Sequence, residues 1–274
     1  MPELPEVETV ARTLRELVVG KRVREVEVRL PKIVKRPADP AAFAAQLAGQ
    51  TVRGTGRRGK YLKVFFDDVV LVSHMRMEGR YTLCASDDPK EPHTHVVFRF
   101  ADGTELRYRD TRQFGTMHLF PRGAEEHAPP LSVLGPEPLD PAFTEEDFAA
   151  RLRARRTRLK ALLLDQTFLA GLGNIYVDEA LFGAGLHPER PAHTLTADEA
   201  VRLYHSIRQT LMRGIARGGA SVRTYRNGKG EMGMFQLELD VYGRRGEPCR
   251  RCGTPIARIV VAGRGTHLCP SCQA

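Results

Sequence analysis

A proline in second position has the most unusual chemistry open to it of any residue in this chain. Pro2 is small enough for the initiator methionine to be trimmed, which would leave a free secondary amine. An N-terminal amine has a pKa of ~8 against ~10.4 for lysine, so at neutral pH about a tenth of it is free base. Such an amine attacks carbonyl carbons, the Schiff-base chemistry usually given to a desolvated lysine. Glu3 and Glu6 stand beside it, available for proton transfer. The same residues also make a helix start, because Pro5 suits a first turn and Glu3, Glu6 and Glu8 complement the dipole. Local sequence leaves both readings open.

A second chemistry lies at the other end. Cys249-x-x-Cys252 and, after sixteen intervening residues, Cys269-x-x-Cys272 form two tight thiolate pairs. That spacing suits one tetrahedral Zn²⁺ better than a disulfide framework. Four cysteines fill the coordination sphere, so the metal is expected to be structural, with no catalytic metal or organic cofactor. Between the pairs a hairpin is expected, with Arg264 flanked by Gly263 and Gly265 at its tip. There the backbone can approach a phosphate closely, although a solvated turn arginine is equally consistent. Cys84, the cysteine left over, reads as a buried thiol.

The elements that must carry these groups change character along the chain. Apolar residues at Val7, Val10, Ala11, Leu14, Leu17 and Val18, with Gly20 beyond, predict an opening helix over 5–19. Val26, Val28 and Leu30 then alternate with Glu25, Glu27 and Arg29, and Asp39-Pro40 opens a short helix ended by Gly49. From 51 to 120 the spacing predicts strands over 61–66, 69–74, 80–83, 95–100, 105–109 and 116–120. Asp67-Asp68 and Ala101-Asp102-Gly103 would join neighbours into hairpins. Many short strands without helices between them argue for an antiparallel sandwich or barrel. Residues 122–142, rich in Pro, Gly and charge, read as a linker. Helices follow: Thr144 and Thr196 are candidate caps, and Leu203, Ile207, Leu211 and Ile215 mark a long amphipathic helix stopped by Gly218-Gly219. Residues 219–236, rich in Gly, Arg and Asn, read as a mobile loop.

Composition bounds the partners. The 274 residues suffice for two modest domains, and 42 Lys+Arg against 33 Asp+Glu give a formal charge of +9. A surplus of that size points to a polyanion. No stretch is long and apolar enough for a membrane span, and the acidic start lacks a signal-peptide layout, so a soluble cytoplasmic protein is expected.

Taken together, the motifs resemble one family, the bacterial formamidopyrimidine-DNA glycosylases. The resemblance runs from Met1–Glu8 through Gly59-Lys60-Tyr61-Leu62, His74-Met75-Arg76-Met77-Glu78-Gly79 and Arg112-Gln113-Phe114-Gly115. It continues in Gly171-Leu172-Gly173-Asn174-Ile175-Tyr176 and Val241-Tyr242-Gly243, ending in the four-cysteine hairpin. It implies an α+β multidomain fold: an N-terminal β-sandwich flanked by helices (1–121), a linker (122–142) and a helix–two-turn–helix domain (143–218). A lesion loop (219–236) and a zinc hairpin (237–274) complete it. It implies base-excision repair of oxidised purines, 8-oxoguanine and formamidopyrimidines, in duplex DNA. Pro2 would attack C1′, expel the base and form an imine with the opened sugar, and Glu3, with Glu6 nearby, would handle protons. Lys60 would donate the proton for β-elimination and Arg264 would assist δ-elimination. Met77, Arg112 and Phe114 would fill the void left by the everted nucleotide, two apolar wedges and an arginine facing the orphaned cytosine; by residue type alone Met77 and Phe114 could be core. Lys60, His74, Asn174 and Arg264, with His93 and Lys160, would grip phosphates. Ser221, Val222, Arg223, Thr224 and Tyr225 would read the lesion. The partner is then double-stranded DNA with an oxidised purine or abasic site, engaged by a monomer in the bacterial nucleoid.

Three rivals bear on that reading. The sister endonuclease VIII family shares the proline and zinc hairpin but usually has glycine where this chain has Leu4. A zinc-hairpin module without catalysis would explain the charge and cysteines, not the proline. A metal-dependent nuclease would need an open metal site, and no carboxylate cluster has that spacing.

Overall fold

Alternating burial and tight turns build the first half into two sheets. The computed structural model describes residues 1–221 and 228–274, which divide into two units: 1–133 with 217–234, and 134–216 with 235–274. The stretch expected as a linker is thus shared between them, residues 122–133 going with the first and 134–142 with the second.

In the first unit, helix α1 (Leu4–Val18) precedes strand β1 (Val23–Val28), β2 (Val34–Arg36) and helix α2 (Pro40–Leu47). Seven strands follow: β3 (Gly54–Arg58), β4 (Tyr61–Phe65), β5 (Val69–His74), β6 (Arg80–Ala85), β7 (Thr94–Phe100), β8 (Thr104–Arg109) and β9 (Thr116–Pro121). One sheet runs β1-β7-β8-β6, the other β2-β9-β5-β4-β3. The expected antiparallel sandwich holds with one exception: β2 pairs with β9 in parallel. A bulge between Val23 and Glu25 lets Val23 and Val26, three apart, both point inward.

The apolar stripe of α1 (Val7, Val10, Leu14, Val18) is buried in a core shared with Leu62, Val64, Phe98 and Phe100. Thr55 fastens the helix to β3, donating its hydroxyl to the Ala11 carbonyl at 2.5 Å, while Arg15 donates to the Thr55 carbonyl at 2.6 Å. Asp39 caps α2 by accepting from the Ala41 and Ala42 N–H groups, an interaction worth about 0.5–2 kcal/mol.

The second unit holds α3 (Glu145–Arg153), α4 (Leu159–Leu164), α5 (Asn174–Ala184) and α6 (Ala197–Ala216), then the ribbon β10 (Ala257–Val261) and β11 (Arg264–Leu268). Both expected caps form. Thr144 accepts from the Asp147 N–H at 3.2 Å, and Thr196 and Glu199 cap each other's N–H groups. Helices α5 and α6 approach closely because Gly183 faces Ser206 and Gly214 faces Tyr176, where an added Cβ would lie 2.2 and 2.5 Å away. Among the described residues no helix is long and apolar enough to cross a membrane.

Candidate active site and nucleic-acid interface

The N-terminal residues are packed, not frayed. Met1 is 47% exposed, whereas Pro2 is buried and Glu3 and Glu6 are 3% and 2% exposed. Helix α1 explains this, since its first turn lies against the core and carries both carboxylates inward. Glu6 differs from its expected part in proton transfer. Its Oε2 accepts the Glu3 N–H at 2.7 Å, and its Oε1 accepts the Ala220 N–H at 2.7 Å. A carboxylate engaged by two backbone donors is an anchor, here joining the Pro2–Glu3 segment to the start of the 219–236 loop. The approach is close: a Cβ on Gly219 would lie 2.7 Å from Glu6 Oε1, and Gly219 has φ +83°. The loop's two arms meet beside it, where Ser221 Oγ accepts the Gly233 N–H at 2.9 Å and the Met234 N–H donates to the Arg217 carbonyl at 2.8 Å. Of the expected lesion-reading residues, Ser221 is buried at this neck, and Val222, Arg223, Thr224 and Tyr225 lie outside the described residues.

Lys60 follows Gly59 (φ +54°) in the two-residue turn between Arg58 and Tyr61, and is 5% exposed. His74 ends β5 opposite Tyr61, their rings edge to face at 4.6 Å. Its Nδ1 accepts the Arg76 N–H at 2.9 Å, so the ring proton sits on Nε2. Burial, and then the cations of Arg76 and Lys60, hold its pKa down to about 3. His74 is therefore a neutral donor between two cations, a grouping that suits an anion.

Asp110, fully buried, builds the next loop. Its Oδ1 accepts the Arg112 N–H at 3.1 Å, its Oδ2 the Gly115 N–H at 2.8 Å. The turn sets Gln113 at φ +58° and raises Phe114, 55% exposed, with the Arg112 guanidinium 5.3 Å from its ring centre. Such exposure removes core packing as the account of Phe114. Met77 is half-buried. His93, exposed at φ +65°, joins the group because its carbonyl accepts the Asp110 N–H at 3.1 Å. The hydroxyl of buried Tyr108 lies between Gly79 and Gly115, holding the Met77 and Phe114 loops side by side.

In the second unit the four cysteine sulfurs all lie within 4.8 Å of one another. Cys249–Cys272 is 4.0 Å, and Cys252–Cys269 and Cys252–Cys272 are 3.5 Å. Disulfides require about 2.05 Å, whereas zinc with 2.3 Å bonds to sulfur needs edges of about 3.8 Å. The site fits one structural zinc. Buried Phe182, Val241 and Ile256 pack around it. Ala262 (φ +49°) and Gly263 (φ +72°) close the hairpin as a two-residue turn, leaving Arg264 exposed beside it. Asn174 opens α5 and gives its Nδ2–H to the Gly265 carbonyl at 2.9 Å. Lys160 departs from the expected phosphate contact: it has no exposure, and its ammonium is paired with the equally buried Asp178.

The supporting groups escaped sequence reading. Gln166 organises the glycine-rich turn before α5, donating to the Leu164 and Leu172 carbonyls and accepting from the Gly171 N–H. Glu179 accepts from the N–H groups of Asp240, Val241 and Tyr242 at 2.8, 3.0 and 2.8 Å. Burial pushes its carboxyl up against the lowering effect of those donors. Arg151, Arg153, Arg155 and Arg156 form an exposed basic run that enters no ion pair among the described residues.

Comparison with known proteins brings these features together. Residues 1–117 match the formamidopyrimidine-DNA glycosylase N-terminal domain, 134–226 the H2TH domain of the same enzymes, and 246–274 a zinc finger found in FPG and IleRS. The chain is 58% identical to the formamidopyrimidine-DNA glycosylase of Brevibacillus brevis, over 100% of this chain and 99% of that one. It is 57% identical to that of Geobacillus kaustophilus, over 100% of both. Among solved structures it is similar to Lactococcus lactis Fpg in complex with abasic-site DNA (44% identity, TM-score 0.93, 99% of each chain). A variant of that protein bound to DNA containing Fapy-dG aligns with TM-score 0.94 at 44% identity, again over 99% of each chain.

Proposed function

The chain belongs to the formamidopyrimidine-DNA glycosylase family, and on that premise we propose that it excises oxidised purines through the amine of Pro2. It is a base-excision repair glycosylase with lyase activity that acts on damaged DNA and carries a structural zinc. The reading of Pro2 rests on one observation above all: Pro2 is buried with Glu3 at the head of α1, where removal of Met1 would free an amine inside a packed site.

In the sequence we assign, the Pro2 nitrogen bonds to C1′ as the C1′–base bond breaks, and the base leaves with a proton. Opening of the sugar, with Glu3 giving and taking protons, leaves a cationic imine (an iminium) on the secondary nitrogen of Pro2. The imine acidifies C2′; loss of that proton expels the 3′ phosphate in β-elimination, with Lys60 as proton donor. Loss of a further proton expels the 5′ phosphate in δ-elimination, assisted by Arg264. Water then hydrolyses the C=N bond, releasing the unsaturated sugar fragment and the free Pro2 amine, and a one-nucleotide gap with phosphate at both ends results. His74, His93, Asn174 and Arg264 grip phosphates, Phe114 and Met77 fill the stack, and Arg112 faces the orphaned cytosine. Residues 219–236 read the lesion, and the protein works as a monomer on the bacterial nucleoid. By this assignment 1–121 carries the chemistry, while 143–218 and 237–274 hold the DNA.

The test is incision of an 8-oxoguanine:cytosine duplex in the presence of EDTA. Base release and cutting to phosphate ends are expected without added metal. Tight binding with no base release, or cutting only with Mg²⁺, would overturn the proposal.

A further inference from the structure

The outer edge of β11 leaves alternate backbone groups without ladder partners. Gly265 and His267, two apart, present theirs on the same side, and helix α5 takes both. Asn174 donates to the Gly265 carbonyl, and Asp178 Oδ2 accepts the His267 N–H at 2.9 Å. Asn174 and Asp178 are four apart, hence on one helix face. The second oxygen of Asp178 takes the Lys160 ammonium from α4, with neither side chain exposed.

A buried ion pair is a poor stabiliser in itself, since apolar residues of similar volume usually serve as well. What apolar residues cannot supply is the acceptor for His267. Because the Ala262-Gly263 turn is tight, the tip moves with β11 as one body, so a pin at His267 sets where Arg264 is carried. Glu179, the next residue of α5, separately holds the chain entering the finger. We propose that Asp178, oriented by Lys160, is a positioning residue for Arg264. The inference rests on the assignment of Arg264 to the second elimination.

The test reads, at saturating enzyme on the 8-oxoguanine duplex, the ratio of product with both phosphates expelled to product with only the 3′ phosphate expelled. Lys160→Met/Asp178→Leu removes the pair and the acceptor. It should lower that ratio at least ten-fold, with base release within about three-fold of native and one zinc retained. Lys160→Met/Asp178→Asn removes the charges but keeps an acceptor, and should hold the ratio within two-fold of native. Arg264→Ala is the control. If it leaves the ratio unchanged, the role of Arg264 fails and the inference with it. If it lowers the ratio while the leucine double does not, the inference alone fails. Loss of zinc from both doubles would also overturn it, because the pair would then hold up the domain instead of aiming its tip.

Discussion

Gly115→Ala should dislodge the loop that carries Arg112 and Phe114, and the structure says by how much. A Cβ at 115 would lie 1.8 Å from the Tyr108 hydroxyl oxygen, 2.8 Å from its Cζ and 3.1 Å from Asp110 Oδ2. Ordinary contact is about 3.5 Å, so something must retreat by about 1.7 Å. Tyr108 is fully buried, leaving the loop as the part that gives, and the retreat strains the Gly115–Asp110 hydrogen bond of 2.8 Å. Overpacking of this kind costs about 1–3 kcal/mol, or about 2–12 °C in Tm for a body of ~150 residues. Affinity for a duplex with an abasic analogue opposite cytosine should fall about ten-fold, equivalent to ~1.4 kcal/mol. Tyr108→Phe removes the worst overlap but leaves the Cζ contact, so it should rescue in part. A double-mutant cycle by denaturant unfolding should give a coupling of about 1 kcal/mol. Additive effects, or a neutral Gly115→Ala, would show that Tyr108 does not hold this loop.

Three further outcomes are expected. Because burial and neighbouring cations hold His74 near 3, only the unfolded chain takes up its proton as pH falls below about 6.5. Stability should therefore decline between about 6.5 and 3, by up to ~1.4 kcal/mol per pH unit from this group; urea unfolding at pH 7 and 5.5 should show a smaller decline for His74→Gln. Cys252→Ser leaves three thiolates, and the few apolar residues around them cannot hold the hairpin alone. Zinc content and duplex affinity should both collapse, while the sandwich's own melting transition persists. Arg155→Ala/Arg156→Ala should leave base release at saturation unchanged and lower the slope of log affinity against log salt by about 1 for each phosphate that is no longer neutralised.

Sequence pattern revealed most elements because turns and caps are local. Asp67-Asp68 and Ala101-Asp102-Gly103 do join β4 to β5 and β7 to β8. Strand β3 was hidden because Gly54 and Gly56 present no apolar face; the Phe65 ring lies over both instead. Strand β2, three residues long, is defined by its partner β9. In the site, the cysteines were legible because their chemistry belongs to the residue type, and the proposal for Pro2 starts from the same kind of signal. Asp110, Asp178 and Glu179 were not, since a carboxylate that accepts backbone N–H groups looks like any surface acid until the chain is folded. Lys160 misled for the same reason: its partner is eighteen residues away and buried with it.

All of the proposed chemistry depends on Pro2 being the nucleophile. Borohydride trapping on an 8-oxoguanine:cytosine duplex, comparing the native chain with Pro2→Gly and Lys60→Ala, tests it most directly. A covalent complex that maps to the N-terminal peptide at Pro2, with Met1 removed, is expected, with much weaker trapping by Pro2→Gly. A complex mapping to a lysine, or tight binding with no trapping on oxidised purines or pyrimidines, would contradict it.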